Sequence, residues 1–585
     1  MWRKRARGWL YITMAVFLLL GIRLMQIQLF AAESFSKHHI NLLEESVKQR
    51  SQEFVLDNGR GNFLDRNGSI LNSKKAFVLV LFPFLKKTNW DSGKVAQVSG
   101  LSSELLKDAV KNANKPFIYG KSAPIELTES QMNQINALNI PGVFAIERKQ
   151  ERSDLLAQQL IGVTGENQRE LQKRYPKKAL SKQTLIGVSG LEQSFDEFLL
   201  PEGKAKLVYH VDGNGAPLFG LNVRYVAPAN PYYPVNLRTT LDKEIQTKAE
   251  ALLDTHHIQK GGIVLLDIKT NSILALASRP KVNKKNPYKG LGVSNLMVKQ
   301  QIMGSVFKTV VAAAAIDANL DGPERRFDCN KKINGEPDLI YRYGKLNFTD
   351  SFARSCNNAF GQLAQELTKS NPEVLEDYAA KLSLSGPVGW QGDVFHENDF
   401  KQLGDEEKGR VFTSHNEKLD ANYVAMTGIG QREVRSTPLA AANMMAEIAR
   451  GGQAKMVRAV SKIEYKNGAT MIEFKEENLP HASISPYTAM KLQKLLRAVV
   501  LHPQGTGKWL QYLPYDVAGK SGTAETGKYQ NGKQLHNKWF AGYFPYHHPK
   551  YALVAVNLDV YDQEGGVNSL YADMVKMLYD FDHRQ

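Results

Sequence analysis

Cysteine is nearly missing from this 585-residue chain, which holds only Cys329 and Cys356. One pair cannot make the disulfide framework of a small secreted scaffold, so the fold must rest on buried apolar surface. A repeated period is missing from residues 72–180, which mix short helices and strands, and this excludes a solenoid there. The chain carries 75 Lys+Arg against 59 Asp+Glu, a formal charge of +16. Yet no Lys/Arg cluster with interleaved aromatics gathers that charge into a phosphate-tracking stripe, and nucleic acid is discounted as a partner. Lys177-Lys178 and Lys284-Lys285 read as solvated loop surface. With 43% hydrophobic and 23% charged residues the chain is neither disordered nor collagen-like, and its length predicts at least two domains.

Acidic residues are absent from the first 30 positions, which hold Arg3, Lys4, Arg5, Arg7 and Arg23. The uncharged run from Gly8 to Ile22 is short for a spanning helix of roughly 20 residues. Trp9 to Phe30 is long enough, provided Arg23 snorkels to the outer interface. Basic residues ahead of the apolar run keep the amino terminus in the cytoplasm. A cleaved signal peptide is the alternative, with Ala31-Ala32 the nearest small-residue site; the lack of a clear small-x-small pattern favours an uncleaved anchor. Residues 1–7 are thus expected as a cytoplasmic tail and 8–30 as the anchor, with the remainder outside the membrane. Five net charges belong to the anchor region; the other eleven suit an anionic wall-facing surface.

Glu33 to about Gln52 is polar and helical in character, as a stalk would be. Arg60-Gly61 and Asp65-Arg66-Asn67-Gly68 follow, with Asn67-Gly68 predicting a hairpin turn. The Pro-rich stretch Val226-Ala227-Pro228-Ala229-Asn230-Pro231-Tyr232-Tyr233-Pro234 marks the main boundary, giving domains 31–230 and 231–585. Beyond it, Asp242 to Leu253 predicts a helix, and Ile263–Ile268 with Ile273–Ala277 a hairpin. Val306 to Ile316 predicts a helix buried on nearly all sides. Asp516–Ala518, Trp539–Phe544 and Tyr551–Val560 read as strands and Leu570–Leu578 as a closing helix. The fold class expected is α+β with one central antiparallel sheet.

Gly304-Ser305-Val306-Phe307-Lys308 sets a Ser and a Lys three apart, on one helical face. A Lys held away from water loses its proton readily and can serve as base toward a Ser hydroxyl, while the helix amino terminus offers N–H groups to an oxyanion. Ser-x-x-Lys recurs at Ser34–Lys37 and Ser278–Lys281, and Ser-x-Asn occurs at both Ser355-Cys356-Asn357 and Ser414-His415-Asn416. Only Lys520-Ser521-Gly522-Thr523 matches Lys-[Ser/Thr]-Gly. Order discriminates: Ser305 to Lys308, then Ser355 to Asn357 fifty residues on, then Lys520 163 residues after Asn357.

In these three motifs the chain resembles the penicillin-recognising acyl-serine transferases. Arg60-Gly61, Asp65-Arg66-Asn67-Gly68, Gly187-Val188-Ser189-Gly190-Leu191-Glu192, Thr240-Leu241-Asp242, Gly428-Ile429-Gly430-Gln431, Thr437-Pro438-Leu439 and Trp539-Phe540-Ala541-Gly542-Tyr543 narrow the resemblance to class B, monofunctional penicillin-binding proteins. Arg432 departs from the Gly usual after Gly-Gln, which puts a loop near the cleft in doubt. The family's Gly-x-x-Ala-Ala-Pro block is lacking past Val560, where Gly565-Gly566 keeps part of its backbone role.

The resemblance implies a single transmembrane helix, an elongated mixed α/β pedestal of dimerisation type and a serine β-lactamase-like transpeptidase domain. It implies a bacterial, membrane-anchored D,D-transpeptidase of peptidoglycan, acylated by the D-Ala-D-Ala donor or by β-lactams and resolved by an acceptor amine. Ser305, Lys308, Ser355, Asn357 and Lys520 are the implied catalytic residues; Ser521, Gly522 and Thr523 the implied substrate-binding ones. No cofactor or metal is implied, and a separate glycosyltransferase is the implied partner. Rival readings are a serine β-lactamase or D,D-carboxypeptidase, and a non-catalytic penicillin sensor or scaffold. His256-His257 is expected as a surface pair, Trp539-Phe540 as core and cleft wall, and Cys356 as a small filler, with Cys329 pairing the alternative.

Overall fold

The structure, a computed structural model, describes residues 2–30, 32, 51–120, 125–151, 155–178, 180, 181, 183–212, 218, 223–226, 230–283, 286, 287 and 290–584. The expected stalk lies almost wholly outside them, as do Ser34, Lys37, Lys284-Lys285 and residues 227–229 of the Pro-rich stretch. Helix α1 runs Trp2–Met25 and continues into a π-helical turn, Gln26–Phe30. Trp2–Leu29 is apolar enough and long enough to cross a membrane, and no part of its apolar window is buried within the protein. Exposed Trp9, Phe17, Leu18 and Leu20 therefore need a lipid phase to leave water.

The chain forms two compact units that interleave along the sequence: Met1–Arg60, Ser73–Glu151 and Pro201–Tyr233 in one, Gly61–Asn72, Arg152–Leu200 and Pro234–Gln585 in the other. Composition shift marks only the last crossing; the earlier ones fall in ordinary polar sequence. The first unit contains the sheet Phe117–Ile118, Ser73–Leu81, Val143–Glu151, with helices Ser92–Ser99, Ser103–Lys111 and Glu129–Ala137 burying Val95, Leu106 and Ile135 beside Leu79 and Leu81. Its second sheet orders Ser51–Asp57, Ala205–His210 and Arg224–Val226.

In the second unit, the Asn67-Gly68 turn forms as expected, because the Asp65 carboxylate accepts from the N–H groups of Asn67 and Ser69 and Gly68 takes φ +95°. Strand Asn62–Leu64 before it pairs in parallel with Asn236–Thr239. The central sheet comprises β1 (Gly261–Asp267), β2 (Ser272–Arg279), β3 (Ala518–Gln530), β4 (Lys533–Phe544) and β5 (Tyr551–Tyr561) in the order β2-β1-β5-β4-β3, every neighbour antiparallel. Helices α2 (Lys243–Thr255), α3 (Lys308–Asp317), α4 (Asn357–Ser370), α5 (Pro438–Ala449), α6 (Pro486–Leu501) and α7 (Asn568–Asp582) accompany it. Ile245, Ala249 and Leu253 of α2 pack with Leu570, Met574 and Val575 of α7 in the cluster holding Ile263, Phe540 and Leu553 of the sheet. Burying each Leu, Ile or Val stabilises the fold by about 1.5–3 kcal/mol, so this layer fixes β4 and, through its ladder, β3.

Strand β3 differs most from expectation. It begins at Ala518, not Asp516, and continues through Lys520-Ser521-Gly522-Thr523 to Gln530. Its pattern of Gly, Ser, Thr and Glu carries no apolar alternation; the ladder to the buried Trp539-Phe540 of β4 makes it a strand. Cys356 is no filler: it is disulfide-bonded to Cys329, Cα to Cα 5.8 Å. Phe327–Asp328 pairs with Lys345–Leu346, and the fold-back delivers Cys329 to the segment after helix Phe348–Ala353, a closeness that a sequence separation of 27 conceals.

Candidate active site

Gly304–Phe307 forms a 3-10 turn and α3 starts at Lys308, so the Ser and Lys straddle a helix-type change instead of sharing one α-helix. Positions three apart eclipse in a 3-10 turn, which keeps both on one side. The turn is wedged between backbones: the Gly304 N–H donates to Gly430 O at 2.9 Å, and a β-carbon on Gly304 would stand 2.4 Å from Thr523 O. Gly304 takes φ +56°, which a side chain would also oppose. Gly522 is needed for a similar reason, since its β-carbon would meet Met303 O at 2.7 Å.

Lys308 is completely buried. Its Nζ donates to Ser355 O (2.7 Å), Ser355 Oγ (3.0 Å) and Asn357 Oδ1 (2.6 Å). Burial first, and the Lys520 charge second, push its ammonium well below the usual lysine range. Lys520, also completely buried, donates to the same Ser355 Oγ (3.0 Å) and to Ser521 O (3.0 Å), and burial pushes it down to about 7. Two lysines on one hydroxyl cannot both hold a proton cheaply. Ser355 takes φ +58° between helix Phe348–Ala353 and α4, a left-handed conformation that turns its hydroxyl and its carbonyl onto Lys308.

Ser305 is half-buried and its hydroxyl has no hydrogen-bond partner among the described residues. The expected Ser305–Lys308 contact is thus not closed here; Lys308 is held by Ser355 and Asn357. At the far side, Ser521 Oγ donates to Thr506 Oγ1 at 2.8 Å. Gln431, from the Gly-Ile-Gly-Gln segment, donates through Nε2 to Thr523 O (3.3 Å) and accepts the Glu525 N–H (3.0 Å). β3 is the terminal strand of the sheet, so Thr523 and Glu525 turn their backbone groups outward from β4, and the Thr523 N–H shares that free edge. Arg432, where the resemblance leads one to expect Gly, sits at φ +60°, a conformation that favours Gly, and its guanidinium lies 5.7 Å from the Tyr423 ring centre.

All eight residues singled out in the sequence lie around this edge: Ser305 on the turn and Lys308 at the start of α3, Ser355 and Asn357 before and at the start of α4, and Lys520, Ser521, Gly522 and Thr523 on β3. Among the described residues, the competing motifs do not assemble. Ser278 Oγ is buried accepting the Leu296 N–H, Lys281 pairs with Asp254, and Ser414-His415-Asn416 is exposed at a five-residue helix. Trp539 donates from Nε1 to Ile302 O (3.0 Å) and braces the turn from beneath. His256 bonds Asp573 at 2.9 Å. Thr506 is not marked by any of the sequence motifs, its one cue being Gly505-Thr506-Gly507, and Gln431, legible as part of the Gly428–Gln431 block, shows its contact with β3 only in three dimensions.

Comparison with known proteins matches residues 261–573 to the penicillin binding protein transpeptidase domain and residues 56–229 to the penicillin-binding protein dimerisation domain. The peptidoglycan D,D-transpeptidase MrdA of Acinetobacter baumannii is 23% identical over 620 aligned positions, 96% of this chain and 85% of that protein. The peptidoglycan D,D-transpeptidase PbpA of Mycobacterium tuberculosis is 24% identical over 379, covering 59% and 72%. A chain of a peptidoglycan synthase complex coordinating polymerization and crosslinking superposes with TM-score 0.67 at 22% identity, over 99% of both chains. Penicillin-binding protein 2X of Streptococcus thermophilus gives 0.65 at 18%, over 91% and 80%.

Proposed function

This chain belongs to the penicillin-binding protein transpeptidase family, and on that premise we propose that it is a membrane-anchored peptidoglycan D,D-transpeptidase acylated at Ser305. The observation that carries the reading is the pair of dehydrated lysines converging on Ser355 beside the free edge of β3. Residues 1–7 are then the cytoplasmic tail, 8–30 the anchor, 31–230 the pedestal region, from which Gly61–Asn72 and Arg152–Leu200 fold into the unit of the later sequence, and 231–585 the catalytic domain, facing outward.

Ser305 attacks the D-Ala-D-Ala carbonyl while neutral Lys308 takes its proton. The N–H groups of Ser305 and Thr523 hold the oxyanion, each worth roughly 3 kcal/mol. Ser355, bridging Lys308 and Lys520, passes the proton on to the departing D-Ala nitrogen. Asn357 gives Oδ1 to Lys308, which leaves Nδ2 to bond a substrate carbonyl. Ser521, Thr523 and the Lys520 charge receive the terminal carboxylate. An amine from a neighbouring stem peptide then resolves the acyl-enzyme, and a separate glycosyltransferase supplies the glycan strand.

Mass spectrometry after penicillin treatment tests the assignment. The adduct is expected on Ser305, with a lifetime far beyond seconds; an adduct elsewhere refutes the nucleophile, and turnover within seconds supports a hydrolase. Labelling lost in Ser305→Ala with crosslinking untouched would support the sensor reading.

A further inference from the structure

Ser521 is not alone at the end of its strand. Thr506 lies in Gly505-Thr506-Gly507, in the connection from α6 to β3. The Gly505 N–H donates to His502 O (2.8 Å) and the Gly507 N–H to Val499 O (3.1 Å), while a β-carbon at Gly505 would meet Val499 O at 2.2 Å. The turn is thereby seated on the end of α6. The Thr506 N–H donates to Ala353 O at 3.2 Å, two residues before Ser355. So one residue ties the Ser355 segment to the β3 segment, and its hydroxyl is held 2.8 Å from Ser521 Oγ.

The direction of that bond matters. Ser521 is the donor and Thr506 the acceptor, and the Thr506 hydroxyl proton has no acceptor among the described residues. An arriving carboxylate accepts only, so Ser521 must turn its proton toward it and stop donating to Thr506. Thr506 then donates to Ser521 Oγ with the proton it holds in reserve. The two hydroxyls become a chain aimed at the anion, and each bond polarises the next. Without the Thr506 hydroxyl, Ser521 Oγ would lose its only partner among the described residues when it turned.

The geometry points to Thr506 as a positioning residue for the acyl donor's terminal carboxylate, acting through Ser521 and touching neither the scissile bond nor the nucleophile. This rests on the reading of Ser521 as a carboxylate receiver. Specificity for a free carboxyl terminus therefore depends on two hydroxyls, one on β3 and one on the turn before it.

The test compares acylation of the full-length protein by a penicillin and by its methyl ester, followed by intact-protein mass. Thr506→Val keeps the shape and removes the hydroxyl; it is expected to slow acylation by the acid about tenfold and by the ester less than about twofold. With a D-Ala-D-Ala donor peptide the loss should fall on KM, with kcat held. Thr506→Ser should bring the acid back to within about twofold of the parent. Equal losses on acid and ester, or no loss on the acid, overturn the proposal. Ser521→Ala, run alongside, separates the two readings: if it does not discriminate acid from ester, the carboxylate reading itself fails. If it does and Thr506→Val does not, only the role of Thr506 falls. Thr506→Ala gives the same read-out should the valine variant not fold.

Discussion

Lys308 Nζ lies 3.0 Å from the Ser355 hydroxyl, on a residue that Lys520 approaches at the same distance. Both amines sit below the ordinary lysine range, Lys308 through burial and the Lys520 charge, Lys520 through burial alone at about 7. Protonated Lys308 cannot act as base, so acylation should rise with pH as it loses its proton. Lys520 loses its charge through about pH 7, and the attraction for the carboxylate with it. A bell-shaped profile follows, its two limbs belonging to the coupled pair. Acylation rate constants measured from pH 5 to pH 9 check this; a flat profile contradicts it.

Lys308→Met retains the buried stem and removes the amine. Penicillin acylation should fall by about 10²–10⁴. Thermal unfolding should occur at the same or a higher temperature, since an amine costs more to bury than a thioether. Calorimetry beside labelling distinguishes this from simple misfolding, in which both properties would drop together.

Breaking the Cys329–Cys356 bond releases a loop spanning 27 positions and frees the residue between Ser355 and Asn357. Cys329→Ala should lose about 3–4 kcal/mol in denaturant unfolding by the loop-entropy estimate. Acylation should slow as well, because Ser355 must hold φ +58° to aim at both lysines. Unchanged acylation in the reduced protein would show that the helices alone fix this segment.

Gly304→Ala would press a β-carbon to 2.4 Å from Thr523 O at a φ of +56°. Displacement of the turn should move the nucleophile by a fraction of an ångström and lower acylation about a hundredfold. An alanine variant with parental acylation and an unchanged unfolding temperature would contradict the wedge.

The three motifs were legible because their chemistry requires particular residues in a particular order, and the structure assembles all three on one edge. The apolar helix after Ser305 was equally legible: every residue of α3 but Asp317 is buried. Strand β3 was not, since its Gly, Ser and Thr residues, among them Gly522 at a close backbone approach, lack strand-like alternation. The disulfide stood only as the alternative to a filler Cys356, and the Gln431 bridge and the Thr506 contact were not legible at all, because each joins positions apart in the chain. The interleaving of the two units escaped for the same reason: nothing in local composition distinguishes Gly61–Asn72 from its flanks.

The parallel pairing of Asn62–Leu64 with Asn236–Thr239 bears on any attempt to isolate the catalytic half. A truncation starting at the Pro-rich stretch would strip Asn236–Thr239 of that neighbour and leave the Val235 carbonyl, which accepts from Asn62, and the Thr239 hydroxyl, which bonds Leu64 O, without partners. It would also bare a new strand edge, an invitation to pair with other molecules. A minimal soluble enzyme should therefore be made by excising the membrane helix alone, keeping the early segments that the late sequence completes.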